Sequence, residues 1–99
     1  MVVQEPPPPP VAPITLALTV KSSSHISLAW SDKSSNETGF KIERSLNGTT
    51  FTQIASVGAG IITYTDTGLT TKIKYYYRVR AYNLGGNSAY TTIVSATTL

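Results

Sequence analysis

Few side chains in this sequence could perform acid–base chemistry. The carboxylic acids are Glu5, Asp32, Glu37, Glu43 and Asp66. The only histidine is His25, and one histidine can build neither a catalytic triad nor a multi-histidine metal site. A glycosidase needs two carboxyl groups that flank a cleft, and only Asp32 and Glu37 share a predicted loop. We therefore expect no catalytic residue, no cofactor-binding residue and no enzymatic activity.

That loop, SDKSSNETG, raises the question of a metal site. Oxygen-bearing side chains stand at alternate positions, at Asp32, Ser34, Asn36 and Thr38. The spacing is similar to that of a calcium loop, but the sixth position is Glu37, where such a loop needs glycine. The chain also has no cysteine, which excludes disulfides and thiolate-bound metals. We predict no metal site and a polar loop held by Asx-type turns, with calcium binding near Asp32 and Glu37 as the open alternative.

A second candidate site is the stretch YYYRVRAYN, where Tyr76, Arg78, Arg80 and Tyr82 share one parity. Tyrosine and arginine are common interface anchors, so these four residues form a possible binding face for a polysaccharide or a protein. Tyr76 and Tyr82 would stand about 20 Å apart on a strand, too far to stack on adjacent sugar rings. The alternative is structural: both arginines pair with Glu43 across the sheet while the tyrosines cover their aliphatic stems.

The elements that position these side chains are predicted to be β-strands. Apolar and polar residues alternate with a period of two, and no window of helical length has a helical apolar stripe. Strands are predicted near residues 14–20, 25–31, 39–45, 51–57, 62–66, 74–83 and 88–97. Phe51 and Ile54 are three apart, which predicts a bulge in the fourth strand, and Asn47-Gly48 predicts a hairpin between the third and fourth strands. The fold class is all-β, a seven-stranded antiparallel sandwich of two sheets, immunoglobulin-like.

The N-terminus differs in composition from the rest of the chain. All six prolines lie within the first 13 residues, five of them as the run Pro6–Pro10. Consecutive prolines favour an extended polyproline II rod. We predict a proline-rich linker over residues 1–12 and one folded domain over residues 13–99. A spacer implies flanking domains, so we expect Met1 to be a start residue added to a segment of a longer protein. Alternatively, the proline run is a ligand for domains with an aromatic groove.

Charge and hydropathy exclude several classes of partner. A net charge of +3 is small for a nucleic-acid-binding domain of this size. No apolar run approaches the ~20 residues of a membrane helix, and the N-terminus lacks the basic and apolar regions of a signal peptide. We expect no nucleic-acid or membrane partner and a monomer when the domain is isolated.

Several motifs, in order, resemble the fibronectin type III family over about residues 13–98. They are Trp30, the stretch Gly39-Phe40-Lys41-Ile42, the stretch Tyr64-Thr65-Asp66-Thr67-Gly68-Leu69, Tyr75, the stretch Val79-Arg80-Ala81-Tyr82-Asn83, and Gly86-Asn87-Ser88. The stretch WSDKSSNETGFKIERS is most similar to bacterial members of this family. The resemblance implies a tyrosine corner at Tyr75, six residues after Leu69, with its hydroxyl bonded to upstream backbone. Thr71 and Ile73 replace the proline and threonine of the family pattern, so a looser turn is expected.

Parity and resemblance together predict the structural core. Its members are Trp30, Phe40, Ile42, Tyr64, Leu69, Tyr75, Tyr77 and Val79. In bacterial members such domains lie between the catalytic and binding domains of secreted carbohydrate-active enzymes, or in surface proteins. The resemblance therefore implies a non-catalytic accessory module that spaces or stabilises neighbouring domains in a secreted or cell-surface protein. The alternative is a carbohydrate- or protein-binding module that uses the outward Tyr and Arg face or the loops.

Overall fold

The computed structural model describes residues 6–99, which form two antiparallel β-sheets packed face to face. The strands are β1 (Ile14–Val20), β2 (Ile26–Ser31), β3 (Gly39–Ser45), β4 (Thr52–Gly58), β5 (Thr63–Asp66), β6 (Lys74–Asn83), β7 (Gly86–Asn87) and β8 (Val94–Thr97). The smaller sheet has the order β1-β2-β5, and the larger has the order β4-β3-β6-β7, with β8 also paired to β6. Residues 1–5 of the predicted linker lie outside this description. Over residues 6–99 no helix is long and apolar enough to cross a bilayer.

The predicted all-β sandwich is confirmed, but the strand predicted over residues 88–97 is wrong in extent. Within those residues only Val94–Thr97 forms a strand, β8. Between β7, which ends at Asn87, and β8, side-chain hydroxyls contact β6. The amides of Ala81 and Val79 donate to Ser88 Oγ (2.9 Å) and Thr91 Oγ1 (3.1 Å). The amides of Ser88 and Thr91 in turn donate to the carbonyls of Ala81 and Val79, both at 2.8 Å. Hydroxyl oxygens thus take the place of backbone carbonyls, so the segment stays paired without forming a regular ladder.

The bulge predicted in the fourth strand is confirmed. Ile42 lies opposite Ala55, whereas the next residue, Glu43, lies opposite Gln53. Ile54 is therefore the extra residue on β4, which accounts for the broken alternation in the sequence.

The hairpin predicted around Asn47-Gly48 is confirmed, because β3 and β4 pair antiparallel and are joined by the loop of residues 46–51. Gly48 has a φ of 79°, and Asn47 is not among the residues with positive φ. Ser45 Oγ accepts hydrogen bonds from the amides of Asn47 (3.1 Å) and Gly48 (2.9 Å). Asn47 Oδ1 accepts from the amides of Thr49 (2.9 Å) and Thr50 (2.8 Å). These side-chain acceptors stabilise the loop between β3 and β4.

The core lies between the two sheets. Trp30 and Phe40 meet edge to face, with ring centroids 5.6 Å apart. The buried members of the predicted core are Trp30, Phe40, Ile42, Leu69, Tyr75, Tyr77 and Val79, joined by Leu16, Ile26, Leu28 and Ala81. Tyr64 is only half-buried and packs against this cluster from β5. The short β5 is an edge strand of the smaller sheet, and a residue on an edge strand has fewer neighbours to cover it.

The tyrosine corner has the hydrogen bond that the sequence resemblance implies. The Thr70 amide donates to the Tyr75 hydroxyl at 2.8 Å, and the Tyr75 ring is buried. The loop between β5 and β6 is therefore held against the start of β6 even though Thr71 and Ile73 replace the usual residues of this turn.

A polar cluster inside the sandwich joins the two sheets. Asp66 on β5 is 4% exposed. Arg44 Nη1, from β3, donates to both of its carboxylate oxygens at 3.1 and 2.9 Å. The Tyr77 hydroxyl, from β6, donates to the same carboxylate at 2.7 Å. Burial of Tyr77, and then its bond to the carboxylate, raise the pKa of that phenol well above its ordinary value. The sequence indicates no partner for Asp66, because Arg44 and Tyr77 reach it only in the folded chain.

Candidate interaction face of the larger sheet

The outer face of β6 presents the four side chains of the candidate binding face. Burial alternates strictly along β6, so Tyr75, Tyr77 and Val79 face the core. The intervening Tyr76, Arg78, Arg80 and Tyr82 are partly exposed on the opposite face of the sheet.

The centre of this face is a carboxylate. Glu43 lies opposite Arg78 on the neighbouring strand and is 7% exposed. Arg78 donates to Glu43 Oε1 through Nε at 2.9 Å and approaches it through Nη2 at 2.8 Å. Arg80 Nη2 lies 3.8 Å from Glu43 Oε2, and the Tyr90 hydroxyl donates to the same oxygen at 2.8 Å. The expected cross-strand pairing of both arginines with Glu43 is therefore present.

These donors change the pKa of the Glu43 carboxyl group. Burial alone would raise the pKa of this carboxyl. The hydrogen bonds from Tyr90 and Arg78, with the positive charges of Arg78 and Arg80, outweigh burial and lower the pKa below its ordinary value. Glu43 is thus an ionised anchor for the face and is poorly suited to act as a general acid.

The aromatic partners of the arginines are Phe51 and Tyr90, and not the tyrosines that the sequence suggests. The Arg78 guanidinium carbon lies 4.2 Å from the Phe51 ring centroid and 3.8 Å from that of Tyr90. The guanidinium carbon of Arg80 lies 4.5 Å from the Tyr90 ring centroid. Both guanidinium groups therefore make cation–π contacts within the domain. The sequence predicts both Phe51 and Tyr90 to lie in strands, whereas both lie just outside the observed ones, and no local pattern indicates which rings contact β6.

The outward tyrosines are covered by lysines. The Lys41 ammonium lies 4.8 Å from the Tyr82 ring centroid and donates to Asn87 Oδ1 at 2.8 Å. The Lys74 ammonium lies 5.2 Å from the Tyr76 ring centroid. Every member of the candidate face thus already has a partner within the domain, which leaves less of each ring and charge for a ligand.

The loop between β2 and β3 contains the Asx-type turn expected from its sequence. Asp32 Oδ1 accepts from the Ser34 amide at 3.0 Å, and Ser34 Oγ donates to Glu37 Oε1 at 2.9 Å. Glu37 Oε2 accepts from the Gly60 amide at 3.1 Å. Burial, and then the neighbouring Glu37, raise the pKa of Asp32. Across residues 6–99 no group of three or more His, Cys, Asp or Glu side chains could hold a metal ion.

One surface depression lies away from this face, beside the loop between β3 and β4. It has a volume of about 320 Å³ and is lined by Arg44, Ser45, Leu46, Asn47, Thr50, Thr52 and Ile54. Arg44 is the charged residue of that lining, and its Nη1 already bonds to Asp66. The depression therefore brings no pair of acidic groups together, and it is near the lower limit of ligand-site volumes.

Comparison with known families agrees with this architecture. The model of the "Fibronectin type III domain" matches residues 8–97. The chain belongs to the fibronectin type III family. This fibronectin type III domain is 36% identical over 92 residues to an α-amylase of Niallia circulans, an alignment that covers 90% of this chain and 7% of the amylase. It is 37% identical over 95 residues to exoglucanase B of Cellulomonas fimi, covering 88% of this chain and 8% of that protein.

A solved structure gives the same result for the fold. The crystal structure of a β-1,2-glucanase from Parabacteroides distasonis aligns with a TM-score of 0.82 and 28% identity, covering 95% of this chain and 14% of that one. The fibronectin type III domain described here thus spans less than a tenth of the length of the two curated relatives named above. In the amylase, the exoglucanase and the glucanase, the matched segment is a small part of a much longer bacterial chain.

Proposed function

We propose that this domain is a non-catalytic accessory module that spaces and orients neighbouring domains of a longer, secreted polysaccharide-degrading enzyme. The observation that carries the proposal is that the chain enters and leaves at opposite ends of β6. Asn83, the last residue of β6, donates through Nδ2 to the Pro8 carbonyl at 2.8 Å. The Thr98 amide donates to the carbonyl of Ile73, just before β6 begins, at 3.1 Å. Ten strand residues span about 30 Å, so domains attached at the two ends would be held that far apart.

The relatives support the cellular context. Two of them are an α-amylase and an exoglucanase, and in each the matched segment is a small part of the chain. A parent enzyme of this kind would act on polymers outside the cell, which favours an extracellular location. Flanking domains of the same chain are then the principal partners of the module.

The chemistry of the candidate face favours the spacer over the binding module. Glu43 accepts hydrogen bonds from Arg78 and Tyr90 and forms a longer ion pair with Arg80, so the four side chains belong to a single network. A ligand would have to replace these contacts with equivalent ones, and that exchange gives little net affinity. An enzyme is also disfavoured, because Glu43 and Asp66 are both occupied by arginine and tyrosine donors.

The spacing role can be tested with a fusion that has one globular reporter domain at each end of residues 1–99. Small-angle X-ray scattering should give a single maximum for the distance between the reporters, set by a rigid module in addition to the reporter radii. A matched fusion with a Gly/Ser linker of equal length should give a broad distribution. Identical, broad profiles from the two fusions would contradict the proposal.

The binding alternative needs a separate experiment on the isolated domain. We expect no retention on cellulose, chitin, xylan or starch, no release of reducing sugar, and flat NMR titrations with the corresponding oligosaccharides. Saturable shifts at Tyr76, Arg78, Arg80 and Tyr82 with sub-millimolar affinity would replace the spacer with a carbohydrate-binding module.

A further inference from the structure

The proline run contacts the loops at one end of the sandwich. The Pro8 carbonyl accepts hydrogen bonds from Asn83 Nδ2 at 2.8 Å and from Asn36 Nδ2 at 3.2 Å. Proline lacks an amide proton, so its carbonyl is the polar group through which such a segment can be recognised. Pro10, at the end of the run, is buried. The segment is therefore fixed by two side-chain amides and one buried ring.

The Asn83 amide is itself oriented by its surroundings. Its Oδ1 accepts from the Gly85 amide at 2.7 Å, and its Nδ2 also donates to the carbonyl of Asn36 at 3.2 Å. These bonds determine which side of the amide carries the donors. Asn83 thus connects three segments: the proline run, the loop after β2 and the turn after β6.

Glycine at position 85 leaves room for the proline backbone. A Cβ atom added to Gly85 would lie 1.7 Å from the Pro7 carbonyl oxygen and 2.8 Å from the Pro7 carbonyl carbon. Such contacts require backbone movement, because real Cβ atoms do not approach other atoms this closely. At Gly86, with a φ of 132°, an added Cβ would come within 3.7 Å of Pro9 Cγ. The turn after β6 therefore accommodates the proline run only because residue 85 has no side chain.

We propose that Asn36, Asn83 and Gly85 form a polyproline seat, an interaction surface whose occupant is this chain's own Pro7–Pro10 segment. The seat fixes the direction in which the chain enters the domain, so the second half of the predicted linker belongs to the folded unit. Its biological use rests on the proposed spacing function. A stiff proline segment that is fixed to this domain constrains both the distance and the orientation of the preceding domain, whereas a segment joined through a flexible hinge would constrain the distance alone. The family match, which begins at residue 8, agrees with this assignment.

The seat can be tested by double electron–electron resonance on the full chain. Because the protein has no cysteine, nitroxide labels can be placed at Pro6→Cys, an exposed position just before the seated segment, and at Ser56→Cys, an exposed position on β4. We expect a narrow distance distribution that is lost in Gly85→Ala and in Asn83→Ala. Leu84→Ala is the matched control, because this side chain lies in the same turn and is 91% exposed; it should leave the distribution unchanged.

Both the seat variants and the control should show a folded NMR spectrum with the β6 amide shifts retained, which separates release of the prolines from unfolding. A parent distribution as broad as that of Gly85→Ala would overturn the seat. An unchanged distribution in both seat variants would overturn it equally. Polysaccharide binding by the isolated domain would instead overturn the proposed function and leave the seat intact, so the two failures are distinguishable.

Discussion

Three adjacent tyrosines on β6 allow the inside–outside assignment to be tested by removing one oxygen atom at a time. Tyr77→Phe deletes a fully buried hydroxyl that donates to a carboxylate at 2.7 Å. Because hydrogen bonds to charged groups contribute about 1.5–3 kcal/mol, the free energy of unfolding should fall by about that amount. Tyr75→Phe deletes a neutral bond from the Thr70 amide and should cost about 1 kcal/mol. Tyr76→Phe changes a partly exposed ring and should cost almost nothing.

The assay is chemical denaturation of the three variants beside the parent chain. The midpoints should shift in the order Tyr77, Tyr75, Tyr76 while the denaturant slope stays constant, because each variant keeps its ring and hence the buried surface. In thermal unfolding, about 1 kcal/mol corresponds to roughly 4–8 °C for a domain of this size. A Tyr76→Phe variant less stable than the other two would place the core on the wrong face of β6. Equal costs at Tyr75 and Tyr77 would refute the special role given to the Asp66 carboxylate.

Two further predictions concern pH and metals. The folded-state pKa of Glu43 is lowered, so its contribution to stability is present above the ordinary carboxyl pKa and is lost as the pH falls through the folded-state value. The parent chain and Glu43→Gln should therefore differ less in free energy of unfolding at about pH 3 than at neutral pH, as measured by denaturation. A difference in free energy of unfolding that does not change with pH would contradict the network around Glu43. The melting temperature should not change with EDTA or with a reducing agent, since the fold has neither a disulfide nor, in residues 6–99, a cluster of metal ligands. A drop of many degrees in EDTA would instead indicate that the loop between β2 and β3 binds calcium.

Much of the fold could be predicted from residue order alone. Period-two alternation assigned both faces of β6, and the broken alternation at Phe51 and Ile54 predicted the bulge on β4. These features are local, because successive side chains on a strand point to opposite sides whatever the strand packs against. The same reasoning failed for residues 88–97, where only Val94–Thr97 is a strand. The hydroxyls of Ser88 and Thr91 accept the β6 amides of Ala81 and Val79 there, so pairing continues without a regular strand.

The candidate face shows where the sequence stops being informative. Pairing of Arg78 with Glu43 could be predicted, because adjacent strands bring opposite charges together. The aromatic neighbours could not: Phe51 precedes β4 and Tyr90 lies between β7 and β8, and only the sheet order brings both rings over Arg78. The same limit applies to the binding alternative, since alternation shows which side chains point outward but not whether they are already engaged.

By itself the sequence determined the class of fold and the alternation along β6, because these depend on residue type and short spacing. Its resemblance to a known family implied the tyrosine corner and the family itself. The tertiary structure decided what joins the layers and what occupies the ends. Arg44, Asp66 and Tyr77 come from three strands in two sheets and meet only when the sheets pack. From the sequence the proline run is predicted to be a stiff linker outside the domain, yet Asn36 and Asn83, distant in the chain, donate hydrogen bonds to the Pro8 carbonyl. Contacts between residues so far apart depend on how the loops close around the sandwich, and no local pattern encodes that closure.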